Sequence, residues 1–582
     1  TGTIYRYDTR DFKAPVLAET VKLMAPGVTL TGSRFLIGEQ SIVLTGSDGS
    51  VDVYFKLHRE GAASTDGFTL VRAHELEKHK GAVVAMDASQ RGKMFVTADD
   101  TGEIFVRHST SEQTLVRLKP TEDAGKYQAI AMTPREDGII AVSDNGHVFA
   151  WDISAPHPET SFKTIFGKVW YEGYSEPTYT WQSSSGTDAF EPKFSLIPLI
   201  FGTIKSTVYS LLFAIPIALG AAIYTSEFVH PRVRSVVKPT MEMMASLPSV
   251  VLGFIAALIL APLVETWIGA VILAGLVLPV SWLVAAFLWQ LLPGPLAERY
   301  GNWPKFALMF VVFFIGINLS VALAPGFEQA FFAGDFKAWT SGSIGTSHAF
   351  TTLLILPAVV IALYILSDRF LPPQVFEIMR SPNRTTAGIA DFVRGVGTVI
   401  VGAILSYVLA SFLIGIGLDP RGGVVDTYVQ RNTLVVGFAM GFAVIPIIYT
   451  IAEDALNSVP EHLRGASLGC GATRWQTAIN VILPTAMSGV FAAIMVGMGR
   501  AVGETMIVVM AAGNTPVMEW NLFSGLRALS ANIAVELPEA VKDGTLFRML
   551  FLAALTLFAV TFIVNTLAEM IRQKFRKRTA QL

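Results

Sequence analysis

The chain has 582 residues, of which 52% are hydrophobic and 15% charged, against roughly 25% charged in an ordinary soluble protein. Mean hydropathy is +0.50, and the apolar runs that raise it begin only near Leu196, so a polar region precedes a membrane region. A net charge of -2 excludes a strongly basic nucleic-acid binder, and the single Cys470 excludes an intrachain disulfide framework or a multi-cysteine zinc site.

Residues 1 to about 160 carry a weak repeat. Alternating strands follow Gly2, Gly49, Gly102 and Gly146, and Asp48, Thr101 and Asn145 precede three of these glycines as a tight hairpin favours. The glycines are 44 to 53 residues apart, close to the roughly 40 to 50 of propeller blades. His79 to Asp87, Phe95 to Asp99 and Ile104 to Val106 read as most of one WD-like blade. The pattern predicts an all-β, partial propeller-like domain over 1–165, although a plain antiparallel meander has the same alternation. The chain opens with Thr1 on the closing strand of a blade, and Thr1 to Lys13 is polar, so an upstream span acting as export device is expected. A linker over 166–195, rich in Tyr, Trp, Ser and Pro, suits a membrane surface.

Nine spans follow, each near the roughly 20 apolar residues that cross a bilayer. They are read at 199–226, 240–262, 266–291, 305–324, 350–367, 394–418, 431–452, 485–512 and 547–571. Four cationic clusters lie on one side if the spans alternate: Arg232, Arg234 and Lys238; Arg369, Arg380, Arg384 and Arg394; Arg464 and Arg474; Arg572, Lys574, Arg576, Lys577 and Arg578. That side is cytoplasmic by the excess of Lys and Arg on inner loops. The strand-rich domain and the 513–546 loop then lie outside, and the C-terminus inside.

Signatures of chemistry are sparse. No G-x-x-x-x-G-K-[ST] phosphate cradle and no H-E-x-x-H zinc motif occurs. Gly465-Ala-Ser467-Leu-Gly469 matches G-x-S-x-G in form, but a nucleophile elbow needs a strand before it and a helix after it, whereas this one lies in a short loop between spans. The chain is therefore expected to be no enzyme and to bind no cofactor or metal.

The segment from Glu453 and Asp454 to Pro484 is the most informative. Pro460 suits the first turn of a short helix, Glu461 its positive end, and Gly469 and Gly471 its stop. Thr473 and Gln476 form a capping box for a second helix that carries Arg474 and Trp475. Two such helices make a plug for another protein's groove, and an amphipathic loop lying on the membrane has the same spacing.

Arg500 stands about 15 residues into its span, some 22 Å along a helix. Burying it there costs about 2.5 to 3.5 kcal/mol. An i,i+4 partner such as Glu504 returns only about 0.2 to 0.5 kcal/mol. Helix stability does not explain the two residues. A water-lined path for an anion does, because a guanidinium fits oxyanion oxygens and a carboxylate limits how tightly they are held; a structural ion pair between helices is the alternative. Gly499 with Gly503, and Gly437 with Gly441, permit close helix approach, within the chain or at a seam with a second subunit. Asn318, Glu242, Met241, Met243 and Met244 read as packing or interfacial residues.

The glycine and Leu-Pro spacing of the 453–484 loop resembles the EAA loop of ATP-binding-cassette importer permeases. Leu196-Ile-Pro-Leu-Ile-Phe-Gly-Thr203, Ala214-Ile-Pro-Ile-Ala-Leu-Gly220, Leu247-Pro-Ser-Val-Val-Leu-Gly253 and Gly499-Arg-Ala-Val-Gly-Glu-Thr-Met506, with Gly513-Asn-Thr515, are similar to the PstC family of phosphate permeases. The likeness covers 196–262 and 430–571. It implies a type I importer permease fold, with first core spans at 196–262 and the remaining core at 431–582. Arg500 and Glu504 match positions implicated in phosphate passage. The implied partners are a PstA-like second permease, a PstB-like ATPase dimer holding ATP and Mg, a PstS-like periplasmic phosphate-binding protein and membrane lipid, in a bacterial inner membrane and with no nucleic acid. Two departures stand out. Gly465 replaces the loop's usual glutamate, which shifts docking toward Arg464, Arg474 and Trp475; and 263–430 is a four-span insertion. A permease for sulfate or molybdate, an extracytoplasmic sensor or scaffold with a membrane anchor, and a secondary transporter are the competing readings.

Overall fold

The computed structural model describes residues 2–120, 125–186, 190–290, 303–370 and 384–579. Arg380 and the side chains of Arg369, Arg384, Lys574, Arg576, Lys577 and Arg578 lie outside what is described. The chain divides into two compact units, one of residues 1–201 with 532–559 and the other of residues 202–531 with 560–582.

The first unit is built from antiparallel meanders. A hairpin pairs β1 (Thr3–Asp8) with β2 (Val16–Lys22). A four-stranded sheet follows in the order β3 (Leu30–Phe35), β4 (Ser41–Gly46), β5 (Val51–His58), β6 (Phe68–Glu75). A second contains β7 (Val83–Ala88), β8 (Met94–Asp99), β9 (Ile104–His108) and β10 (Gln113–Leu118). A three-stranded sheet of β11 (Tyr127–Met132), β12 (Gly138–Ser143) and β13 (Val148–Asp152) completes the series. Each sheet is an up-and-down blade and the sheets do not close into a ring. Gly49, Gly102 and Gly146 take φ of +78°, +85° and +82° in the turns, a region open to glycine at little cost.

The blades stack through the period-2 alternation of their strands. Phe95 of β8 joins Val43, Val53 and Phe55 of the preceding sheet, while its neighbours Met94 and Val96 join Ile139 and Ala141 of the following one. Strands β8 and β9 are buried on both faces as a result. Several polar groups within this core lie against one another. His79 Nε2 lies 2.8 Å from Thr97 Oγ1 and its Nδ1 3.3 Å from Asp99, and Arg107 Nε donates to the same Thr97 hydroxyl at 3.3 Å. Burial, with Arg107 adding to it, pushes His79 down to about 4.

The stretch read as a surface linker is part of this unit. Glu172 receives Lys93 Nζ at 2.6 Å and the Ser41 hydroxyl, and Trp170 O lies 3.0 Å from His74 Nε2. Thr110 donates to Glu191 at 2.9 Å, and Trp181 Nε1 donates to Glu536 at 3.1 Å. Tyr171 and Trp181 are buried, so their aromatic rings fill protein core instead of anchoring at a lipid surface. Acidic side chains seated over buried lysine and histidine hold the segment in place, a long-range pairing that composition alone does not reveal.

The second unit is helical. Among the described residues, nine helices are long and apolar enough to cross a membrane. Thr433–Asn457 is the most enclosed and packs against Leu483–Val502 and Ile197–Glu227, the last belonging to this unit from Gly202 onward. Ile268–Gln290 pairs with Trp303–Phe332 and His348–Phe370 with Arg384–Gly415, two hairpins whose apolar side chains stay largely exposed. An aromatic cluster of Phe332, Phe336, Trp339, Tyr428 and Phe523 joins the connection between the two hairpins to the core.

Two span boundaries differ from expectation. The apolar run from 240 divides into an exposed amphipathic helix, Pro231–Ala245, and a span, Ser249–Thr266, that contains a π turn at Ala256–Leu260. Residues 485–512 are not one helix: Leu483–Val502 stops at Gly503, and a short helix, Met506–Ala511, follows after the turn. Glycine at a helix end supplies the stop that hydropathy cannot register.

Candidate functional site

At one end of the helical unit, the Glu453–Pro484 segment is fastened by buried charge. Glu453 is 0% exposed, and its carboxylate lies 2.5 Å from Arg234 Nη2 and 3.4 Å from Lys238 Nζ. Asn457 Nδ2 donates to it at 2.6 Å, and Lys238 pairs with Asp454 as well. Arg234 and Lys238 stand four residues apart on Pro231–Ala245, hence on one face. Arg464 turns back to Glu227 at 3.2 Å and donates to Leu456 O at 2.7 Å. Glu453 and Arg464 therefore hold the loop to its own helices.

Beyond these braces the loop is open. Glu461–Gly469 is a helix without a buried residue, and a Cβ at Gly465 or Gly469 would meet nothing. Pro460 is its cap residue, Cys470 ends it, and Gly471 turns the chain at φ +87°. Thr473 and Gln476 cap each other's backbone N–H, at 2.8 and 3.2 Å, opening Arg474–Thr477. That helix continues through a π turn, Ala478–Ile482, into Leu483–Val502 with Pro484 in its first turn, so the second plug helix is the beginning of a span. Arg474 is exposed, and Trp475 is 59% exposed with its ring 6.4 Å from Phe228.

Arg500 and Glu504 do not share a helix. Arg500 lies in the last turn of Leu483–Val502, exposed and, among the described residues, without an ion pair. Glu504 follows the Gly503 stop and is 8% exposed; its Oε1 is 3.5 Å from Ile507 N, and its carbonyl accepts from Ser530 Oγ at 3.0 Å. The structure does not bring the two side chains together as an ion pair. What it offers is an unneutralised guanidinium on an exposed helix face, one turn from a backbone break.

The small-residue seams are also distinct. Gly437 and Gly441 pack on Ile197–Glu227, where an added Cβ would lie 3.3 Å from the Phe213 ring and 3.2 Å from Ser210 O. On Leu483–Val502 the close approach belongs to Gly489 and Gly497, whose added Cβ atoms would lie 2.4 Å from Ala455 and from Ile448. Gly499 faces Asn565 across a groove of about 340 Å³, also lined by Val496, Glu569 and Arg572, and Gly503 meets only its own helix. Sequence reasoning missed Glu227, Arg234 and Lys238 as loop braces, because the cations served there only to orient the spans.

The family described as binding-protein-dependent transport system inner membrane component matches residues 376–577. The match contains the loop, Arg500 and Glu504, and it also takes in Arg384–Gly415, which the sequence reading placed in the insertion. The phosphate transport system permease protein PstC of Mesorhizobium japonicum is 28% identical over 222 residues, 35% of this chain and 65% of that protein. Over these residues the chain is similar to PstC-type permeases. PstA 1, a phosphate transport system permease protein of Mycobacterium tuberculosis, is 28% identical over 191 residues, 33% of this chain and 58% of that one. The chain thus spans just under two thirds of the PstC relative's length and less of the PstA relative's. For the first unit, the β-propeller domain of Cps50 (Swd1) from Myceliophteria thermophila aligns with a TM-score of 0.22 and 13% identity, over 26% of this chain and 48% of that chain. The matched family is one of inner membrane transport components, and residues 1–201 of the strand-rich first unit of this chain lie outside the match.

Proposed function

We propose that this chain is a transmembrane subunit of an ATP-driven importer of inorganic phosphate, working by alternating access. A second, PstA-like permease forms the other wall of the path, a PstS-like binding protein delivers the anion, and two PstB-like ATPases bind ATP and Mg. The open face of the 461–476 loop, with Gly465, Gly469, Arg474 and Trp475, is the ATPase dock on the cytoplasmic side; the first unit is periplasmic. Braces from Glu453 to Arg234 and Lys238, and from Arg464 to Glu227, would pass movement of the docked loop into the core helices.

The observation that carries this reading is Arg500, exposed and, among the described residues, without an ion pair in a family-matched span, where a guanidinium suits a passing oxyanion. Glu504 limits retention of the anion from the adjoining turn. Uptake of radiolabelled phosphate by cells carrying the whole complex, challenged with sulfate and molybdate, tests the substrate. Phosphate uptake unaffected by either competitor is expected; a complex indifferent to phosphate makes this the permease of another oxyanion. Co-purification tests the partners, with a nucleotide-hydrolysing subunit expected and its loss on Gly469→Arg, a bulky charge placed on the open face.

A further inference from the structure

Lys205 is the anomaly of the helical unit. It sits within Ile197–Glu227, a candidate membrane span, and its residue is 0% exposed. Its Nζ donates to Ser524 Oγ at 2.8 Å, and among the described residues it has no ion pair. The Glu519 carboxylate acts on it through space without forming an ion pair, a neutral hydroxyl does not balance a buried ammonium, and an ionisable side chain at such a place in a membrane protein marks an ion pathway or a missing counter-ion.

The surroundings are set for an anion and connect to the path already described. An ammonium has three N–H donors, and Ser524 accepts one of them. Ser524 is fixed from behind, since its carbonyl accepts from Thr433 N at 3.0 Å and Thr433 Oγ1 at 2.9 Å. The chain then runs from Ser524 to Ser530, pinned midway where Leu529 N donates to Thr203 Oγ1 at 3.0 Å. Ser530 holds the Glu504 carbonyl. Gly202 touches the Arg527 backbone so closely that an added Cβ would lie 2.2 Å from its carbonyl oxygen. One short, well-fixed segment therefore links the buried lysine to the turn that bears Glu504.

We infer that Lys205 is a second cationic station for the transported oxyanion, a specificity-determining residue that pairs with the anion on its way to or from Arg500. The inference rests on the oxyanion-permease reading above. A lysine reads charge as a point, without the planar fork of Arg500, so it attracts any small oxyanion while the guanidinium selects by shape.

Oxyanion uptake by the assembled complex, with apparent KM and maximal rate measured for Lys205→Met, Lys205→Arg and Ser524→Ala, tests this. Lys205→Met is expected to raise KM about tenfold or more, with Lys205→Arg and Ser524→Ala within about threefold of the wild type. A merely structural brace through the Lys205 to Ser524 hydrogen bond would instead make Ser524→Ala resemble Lys205→Met, and that result overturns the inference. So does a Lys205→Met protein with wild-type KM, or one that fails to reach the membrane while Lys205→Arg transports normally with unaltered KM for every oxyanion tried. If the wild-type complex moves no oxyanion, this inference and the functional reading fall together; if it transports and only the Lys205 variants behave as wild type, the functional reading stands alone.

Discussion

Glu453 and Arg500 are charged residues treated in opposite ways. Glu453 is enclosed and has Arg234, Lys238 and Asn457 around it, so its ionised carboxylate is compensated in place. Removing one partner of such a set leaves the others uncompensated and costs more than the pair returns. Glu453→Gln is expected to lower stability by about 1 to 3 kcal/mol, measured as a fall in melting temperature of the detergent-solubilised protein, with the two surrounding cations only partly exposed. Arg500 has no such set among the described residues, and replacing it should leave the melting temperature unchanged. The sequence made both residues visible as charges near spans. It could not tell them apart, since Arg234 and Lys238 come from a helix far away in the chain.

At the scale of elements, local signals were the legible ones. The capping box of Thr473 and Gln476 depends on neighbours three residues apart, and it forms as read. The apolar runs also reappear as nine helices among the described residues. Helix rotation is not written in this local way. Gly497 stands two residues before Gly499, a turn of about 200°, and it is Gly497, together with Gly489, that faces Thr433–Asn457. Gly497→Leu is accordingly expected to cost about 1 to 3 kcal/mol through overpacking against Ile448 and Val444. Gly499→Ala, which meets only Asn565 at 3.8 Å, should shift the melting temperature little or raise it. Equal losses in the two variants would mean that the tight seam has been misplaced.

Across the whole molecule, buried titratable groups of the strand-rich unit tie its stability to pH. In the strand-rich unit burial pushes His79 down to about 4 and His108 to about 3, whereas burial pushes Glu191 up to about 7. The histidines contribute stability that is present above their unfolded value near 6.5 and is lost as pH falls toward 4 and 3. Glu191 acts in the other direction: its raised value favours the fold below about 4.5 and that contribution is lost as pH rises to about 7. Glu191→Gln should therefore raise the melting temperature of this unit at pH 8 relative to wild type and change it little at pH 4.5. An identical shift at both values would remove burial as the cause. The composition break near Leu196 falls close to the boundary at Phe201, but neither residues 532–559, read as permease core, nor the segment from Trp170 to Lys193 was visible as part of the first unit. Its pairings, Glu172 with Lys93 and Glu191 with Thr110, join residues about 80 apart.

The membrane unit is read as a conduit in which an exposed guanidinium meets a travelling oxyanion while partners on the inner face drive the movement. Phosphate uptake by the complete complex carrying Arg500→Gln, normalised to the amount of protein in the membrane, tests this most directly. Uptake reduced by about tenfold or more at unchanged membrane level is the expected result. Wild-type uptake by that variant would contradict the account.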